Sequence, residues 1–312
     1  MVIATHAGAN GLDHSLASVL TQQGVDVECI LVADGPLDAS SESTIATWIS
    51  RDPRLTVLRC PKGGLTRALI HGCLQAKADL IARLDVGDAM EPDRLRQQAL
   101  LLQQYPDCVL VTSDVLVCGP AWEPLWLQQL AQPMQQPIRV DTLPSEQGIA
   151  FDIPHHASVL FRASAYQAVG GYREAFYFGQ DWDLWYRLAR AGTFMHLPQQ
   201  LTRVRLFTGG LSSRHWREQR QIAGLSLACH VARSCGGDRE RALLEQAAAV
   251  RPRPTNRAYP LFDGRRAEGA YFIAEALRRN QDRRCWRYFL EALRHGFWKP
   301  RIWVRAAQAV LV

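Results

Sequence analysis

L-I-A-R-L-D-V-G-D-A-M-E-P-D-R-L, running from Leu80 to Leu95, shows the organisation of this chain most clearly. Leu80 to Leu84 is an apolar run of strand length. It closes on Asp85-Val86-Gly87-Asp88, and Pro92 suits the first turn of a helix continuing to about Gln104. The same strand–turn–helix unit recurs on either side. Val2 to Thr5 reads as a strand, His6 to Gly11 as a turn, and Leu12, Leu16, Val19 and Leu20 fall at helical spacing. Val27 to Ala33 is a second strand ending at Asp34-Gly35-Pro36, followed by a helix over Ser43 to Ser50 and a strand over Leu55 to Leu58. Gly63-Gly64 opens a helix to about Ala76, and Val109 to Val117 is a fifth strand. The alternation predicts an α/β fold with a doubly wound, mostly parallel sheet. Ligands of such sheets sit beyond the carboxyl ends of the strands, where Asp34 and Asp85 lie.

The later sequence is less regular. Residues 119–155 are proline-rich and read as an irregular excursion over the site. Ala157 to Phe161 resumes a strand, Ala163 to Val169 a short helix, Asp181 to Ala191 an amphipathic helix, and Leu201 to Phe207 a last strand. Beyond Gly209-Gly210 the pattern is helical, in segments near 212–235, 238–249, 264–280, 282–296 and 300–311. The expected division is a catalytic domain over residues 1–212 and a basic helical extension over 213–312.

Length and composition agree with this plan. A chain of 312 residues suits one large α/β domain with an appendage, and 47% apolar against 21% charged residues excludes wholesale disorder. The eight cysteines never form a C-x-x-C pair, which argues against a zinc knuckle and for reduced thiols in a cytosolic protein. The N-terminus lacks a basic stretch leading into a long apolar one, so no signal peptide is expected, and no apolar run reaches membrane-spanning length. Charge is divided unevenly. Residues 203–312 carry 22 Lys+Arg against 9 Asp+Glu, whereas residues 1–202 are net acidic. A basic tail of this kind points to an anionic partner.

Three acidic segments carry chemistry. Asp34 ends its strand in L-V-A-D-G, where a carboxylate can accept hydrogen bonds from a base or ribose, although Asp-Gly is also ordinary turn chemistry. Asp85 and Asp88 can hold a hard divalent cation that bridges phosphate oxygens. Asp88 is alternatively a helix cap ahead of Pro92, which leaves Asp85 unexplained. Asp181 and Asp183 open the helix of F-G-Q-D-W-D-L-W-Y-R-L, a position the helix dipole itself favours for acids.

Taken in order, these segments resemble the family 2 glycosyltransferases of GT-A fold over roughly residues 1–212. V-I-A-T (Val2 to Thr5) is similar to the family's opening strand. Val32-Ala33-Asp34-Gly35-Pro36 is similar to its second-strand acidic element, with Ala33 in place of the first Asp. Gly64 to Gly72 resembles the helix before the D-x-D strand, and Ile81 to Leu95 the D-x-D element with its helix. H-A-S-V-L-F-R (His156 to Arg162), G-G-Y-R (Gly170 to Arg173) and Q-D-W-D-L-W-Y-R-L (Gln180 to Leu188) resemble the acceptor side. Gly87 stands where the family carries a principal metal-binding carboxylate, and Gln180 replaces the Glu of its E-D pair. The processive signature Q-x-x-R-W is absent.

The resemblance implies an inverting transfer of a sugar from a nucleotide-sugar donor, UDP-linked by preference, to an acceptor hydroxyl in glycan biosynthesis. Asp181 is the implied base. Thr5, Asp34, Asp85, His156 and Arg205 are the implied donor-binding residues, and Asp85 and Asp88 the implied ligands of Mn²⁺ or Mg²⁺. His156 is read with equal weight as a buried structural histidine. The expected partners are a glycan or lipid-linked acceptor and an anionic membrane surface, with the enzyme cytoplasmic and peripheral at the inner face. The tail interleaves Trp286, Phe289, Phe297, Trp298 and Trp303 with arginines, a composition that suits such a surface or a packed helical bundle. The competing classes are a sugar-nucleotide-binding scaffold with a decayed site and a nucleic-acid-binding protein. No nucleic-acid module is present to support the second of these.

Overall fold

The computed structural model describes residues 1–7, 10–129, 154–208, 215–236, 239–252 and 263–309. Most of the expected excursion over 119–155 and the Gly209-Gly210 boundary lie outside them. Contacts divide the chain into two compact units. The first comprises Met1–Val115, Gln129–Arg203 and Arg220–Arg251, and the second Leu116–Gln128, Val204–Gln219 and Pro252–Val312.

The first unit opens with β1 (Val2–Thr5), α1 (Leu12–Leu20), β2 (Cys29–Asp34), α2 (Ala39–Arg51), β3 (Leu55–Cys60) and α3 (Leu65–Gln75). All six residues of β2 are buried, as befits a strand flanked by β1 and β3 and covered on its faces. The three strands are parallel, with Val2 opposite Ile30 and Thr5 opposite Ala33, so Thr5 and Asp34 end their strands side by side. A single bridge from Val2 to Arg83 carries the parallel arrangement to β4 (Leu80–Ala82).

The remaining elements build a second sheet: β5 (Ala89–Met90), α4 (Arg94–Gln104), β6 (Cys108–Cys118), β7 (Pro124–Gln128), β8 (Leu160–Arg162), α5 (Ala163–Ala168), α6 (Gln180–Leu188) and β9 (Thr193–Arg205). Its order is β4-β8-β6-β9-β5, with β7 on β6. The α/β expectation holds, and strand direction is mixed across the fold, parallel in the first sheet and antiparallel at several pairs of the second. β8 runs antiparallel to both β4 and β6, and β5 antiparallel to β9. The strand expected over Ala157 to Phe161 begins as a 3₁₀ turn at His156–Ser158, and the strand expected from Leu201 starts at Thr193. Trp185, Leu184, Phe161 and Tyr172 form the core between α6 and the sheet.

Two helices beyond the sheet, α7 (Trp216–Ser234) and α8 (Glu240–Ala249), follow the expected segments closely. Ile222, Cys229 and Ala247 pack there with Phe176 and Phe178 of the loop entering α6. In the second unit, α9 (Gly264–Arg279), α10 (Cys285–Gly296) and α11 (Pro300–Ala309) pack on one another. Tyr288 donates to Glu123 at 2.7 Å, and Asn280 donates to the Leu125 carbonyl of β7 at 2.7 Å.

Candidate active site

Asp34 ends β2 against the entry to α3. Its carboxylate accepts from the Gly63 amide at 2.6 Å and the Gly64 amide at 3.0 Å. The free amides of a helix N-terminus favour an anion, so the fold holds this carboxylate rigidly. Gly64 has φ +92°, and a Cβ there would fall 2.5 Å from the Tyr177 ring. Beside Asp34, Thr5 is 1% exposed, and its hydroxyl has no hydrogen-bond partner among the described residues. A buried hydroxyl left unpaired costs about 1–3 kcal/mol, which a ligand at the strand ends would recover. Lys62, Arg67, Tyr177 and Arg251 line a cavity of about 310 Å³ at this corner. A larger concavity of about 520 Å³, lined by Val27, Glu28, Arg54 and Lys77, lies at the amino ends of the strands, away from these carboxylates.

Asp85 follows β4, with its side chain 40% exposed, and pairs with the buried guanidinium of Arg83. Burial pushes the Asp85 carboxyl up, but the Arg83 charge outweighs that and leaves it below its usual value. The turn after Asp85 is pinned from α1. The Gly87 amide donates to Ser15 Oγ at 2.9 Å, and Ser15 Oγ donates to the Asp88 carbonyl at 2.7 Å. Gly87 has φ +103°, a conformation that side-chain-bearing residues adopt only with strain. A carboxylate-bearing residue at this position, which the resemblance noted from the sequence leads one to expect, would be strained by the backbone. Asp88 is 5% exposed and does not cap α4, whose N-cap position is held by Asp93 without a side-chain capping bond. Among the described residues, no three His, Cys, Asp or Glu side chains gather in a metal-holding group. The oxygen donors present suit a hard cation shared with a ligand's phosphates, not one enclosed by the protein alone.

Asp181 lies in the first turn of α6, behind Gly179. Burial, reinforced by the negative charge of Asp85, pushes its carboxyl up to about 6. Asp181 and Asp85 thus feel one another, and one fold edge carries two carboxylates with opposite shifts. His156 is buried, with Nε2 2.8 Å from the Tyr172 hydroxyl and its ring against Trp185. Burial, with Arg83 nearby, lowers its pKa to about 3, so it stays neutral and contributes no positive charge. His155 is shifted down for the same reason.

Asp183, two residues after Asp181, has a different role. It is fully buried and accepts from Arg173 at 2.9 Å and from Arg187 at 2.7 Å, with Arg233 of α7 at 3.5 Å. Glu240 of α8 closes the network through Arg173 and Arg233, at 2.6 and 2.7 Å. Asp183 is thus an architectural acid, and α7 and α8 brace the helix that carries Asp181.

The structure brings Asp85, His156 and Asp181 into one electrostatic neighbourhood and sets Thr5 beside Asp34. Arg205 belongs to the second unit, where its guanidinium lies over the rings of Trp122 and Phe207 at 4.8 and 4.7 Å. Sequence reasoning passed over Arg83, Ser15 and Arg94. Arg94 is fully buried and donates to the carbonyls of Ala157 at 2.7 Å and Val159 at 3.0 Å, tying α4 to the segment that bears the histidines. Arg83 carried a signal, an arginine set in the apolar run Leu80 to Leu84, whereas Arg94 lies in the polar stretch E-P-D-R-L-R-Q-Q and carried none.

Several known proteins are similar to this chain. Over 196 residues the chain is 25% identical to the amylovoran biosynthesis glycosyltransferase AmsE of Erwinia amylovora, covering 62% of this chain and 70% of that one. It is 26% identical over 188 residues to the O-antigen biosynthesis glycosyltransferase WbnJ of Escherichia coli, covering 60% and 70%. The match to the chondroitin synthase of Pasteurella multocida, 26% over 198 residues, covers 18% of that longer protein. Among solved structures, S. aureus TarS aligns with a TM-score of 0.56 at 12% identity over 94% of this chain and 51% of TarS. Its fragment 1–349 in complex with UDP aligns with a TM-score of 0.52 at 12% identity, over 90% of this chain and 81% of the fragment. These structural matches show that the fold is of the GT-A type. The family model for glycosyl transferase family 2 matches residues 1–169, the stretch that delivers Thr5, Asp34 and Asp85 to the strand ends, and the chain belongs to that family.

Proposed function

We propose that the protein is an inverting glycosyltransferase that uses a nucleotide-sugar donor, UDP-linked by preference, in the synthesis of a cell-envelope glycan. The observation that carries this reading is Asp181, a carboxyl raised to about 6 at the mouth of α6 and within the field of Asp85. A base with that pKa is ionised near neutrality and still basic enough to accept a proton in the transition state. The acceptor hydroxyl oxygen attacks the anomeric carbon, and its proton passes to the Asp181 carboxylate. The bond between that carbon and the phosphate oxygen breaks, and the nucleoside diphosphate leaves with the electron pair. Attack opposite the leaving group inverts the anomeric centre. Thr5 and Asp34 hold the base and ribose, and Thr5 finds in the ligand the partner it lacks among the described residues.

A divalent cation, when bound, supplies charge to the departing diphosphate. Asp85 is the residue offered to hold it, with Asp88 behind, and Arg83 already balances Asp85. The binding is accordingly proposed to depend on the nucleotide. Mn²⁺ alone should show no heat in calorimetry, and should bind once UDP is present. Tight binding of Mn²⁺ to the free protein would contradict this. The names of AmsE and WbnJ support an extracellular-polysaccharide or O-antigen acceptor, glycan or lipid-linked. The appended residues 213–312 are proposed to bring the enzyme to the inner face of a membrane where such an acceptor resides. No described helix is long and apolar enough to cross one.

A thermal-shift series with UDP, GDP, dTDP and CDP, with and without Mn²⁺, tests the donor. Stabilisation by UDP above the others is expected, followed by slow hydrolysis of a UDP-sugar without acceptor. Nucleotide binding without hydrolysis or transfer would favour the scaffold reading, for which the glycine at position 87 is the relevant feature.

A further inference from the structure

We propose that the turn joining α10 to α11, with the first turn of α9, is a docking surface for the interface of an anionic bilayer. This deepens the membrane reading above by naming the surface, and it does not depend on the transferase chemistry. Phe297, Trp298 and Trp303 are 54%, 50% and 55% exposed, and Val304 follows them at 55%. These four large apolar side chains lie within eight consecutive residues of a charged, basic unit. Scattered exposed apolar residues are ordinary on any protein, but a contiguous aromatic patch is not.

The patch is built rather than loose. The rings of Phe297 and Trp298 meet edge to face at 5.3 Å. The Trp303 indole N–H donates to the Phe297 carbonyl at 2.8 Å. That bond satisfies the one polar group of the Trp303 ring inside the protein, so its hydrocarbon can enter an interface without stranding a donor. Trp298 and Lys299 lie over Gly264, where α9 begins.

Cations surround the rings. Lys299 and Arg301 share a single carboxylate, Glu268, which leaves that cluster net positive. Arg265 and Arg294 are exposed nearby on α9 and α10. The outward stripe of α10, Arg287, Leu290 and Arg294, opposes its buried face of Tyr288, Phe289 and Ala292. Aromatic rings at half exposure ringed by arginine match a headgroup layer of negative charge over an apolar interior. A second copy of the same unit would meet this surface with like charge, since the unit carries 16 Lys+Arg against 7 Asp+Glu.

The test is co-sedimentation of the full chain with phosphatidylcholine vesicles and with vesicles containing about 30% phosphatidylglycerol. Binding should be at least about tenfold stronger on the anionic vesicles and should fall steeply at about 0.5 M salt. The triple variant Phe297→Ser/Trp298→Ser/Trp303→Ser should lose about tenfold or more of that binding. Its unfolding midpoint should fall only modestly, because the rings are half exposed and their loss removes one hydrogen bond and one ring contact. In the wild type, tryptophan emission should shift to the blue on anionic vesicles. Arg294→Glu, which leaves the rings intact, should weaken binding less. Equal binding to both lipids, no binding, or full binding by the triple variant would overturn the proposal. A wild-type dimer in sedimentation velocity that the triple variant dissociates would also overturn it and assign the patch to a second copy. UDP-induced stabilisation, measured in the same samples, reports separately on the donor site.

Discussion

In the first compact unit, Trp185, Tyr186, Phe161 and Phe176 are fully buried, and so are Arg83 and Arg94. In the second, Phe297, Trp298 and Trp303 stand half out of the protein among exposed arginines. Of the described large apolar residues that are exposed, the first unit contributes Ile49, Leu74 and Leu100, all aliphatic and far apart in sequence. Every exposed aromatic among them, including Trp126 and Phe272, falls in the second. The same residue types therefore do different work. Where chemistry must be held in place, arginine is buried and paired, and rings fill the core. Where the surface is to meet something, both are displayed. Composition alone does not separate these uses, because partner supply, not residue type, decides whether an arginine or a tryptophan can be buried.

The largest effect expected from this contrast is at Asp181. Asp181→Asn should reduce transfer by about three orders of magnitude while UDP still stabilises the protein. Wild-type activity should rise as pH climbs through about 6, the value to which burial and Asp85 bring this carboxyl. The stability effect has the opposite sign. The folded pKa lies above the unfolded one, so the folded state resists ionisation, and stability falls as pH rises from about 4 to 6. Asp181→Asn should therefore melt higher than the wild type at pH 7 and match it more nearly at pH 4. A variant with normal transfer would take Asp181 out of the mechanism.

Asp183, two positions on, should behave in reverse. Asp183→Asn leaves Arg173, Arg187 and Arg233 around a neutral side chain and should cost about 3–5 kcal/mol. Chemical denaturation would measure it. Glu240→Gln, on α8, should cost less, because Glu240 keeps some exposure and Asp183 remains to hold Arg173. A loss of under about 0.5 kcal/mol at Asp183 would mean that the arginines find water or other acceptors, and that the network does not brace α6.

The smallest effect should be on the displayed rings. Trp298→Ser should change folding stability by no more than about 0.5 kcal/mol, the range of an exposed substitution. Trp185→Ala in the core should cost about 3–5 kcal/mol. A comparable loss at both positions would erase the distinction between the units and make the aromatic corner part of a core.

Much of the plan was legible locally. The strands ending at Thr5 and Asp34, and the shorter strand that leads toward Asp85, were readable because an apolar run followed by a turn is a short-range signal. The C-terminal helices were readable from their 3.6-residue pattern, and each falls within a few residues of its expected bounds. The antiparallel half of the sheet was not readable. Strand direction depends on which remote strand supplies the hydrogen bonds, as when Leu80 of β4 finds Arg162 of β8. The acids of α6 show the same limit. Asp181 and Asp183 look alike in Q-D-W-D-L-W, since the helix dipole favours an acid at either place. Helical rotation points one toward Asp85 and the other into Arg187 of the same helix and into Arg173 and Arg233 from outside it.

The sequence by itself determined the α/β alternation, the carboxylates at the strand ends, the glycine at position 87 and the basic charge of the C-terminal third. These follow from periodicity, turn chemistry and simple addition of charges, which need no knowledge of distant neighbours. Tertiary structure decided the rest: Arg83 on Asp85, the neutral His156, the raised pKa of Asp181, the left-handed turn at Gly87 and the aromatic corner at Phe297, Trp298 and Trp303. Each depends on how much water and which charges surround a group, and that environment exists only once segments far apart in the chain have packed together.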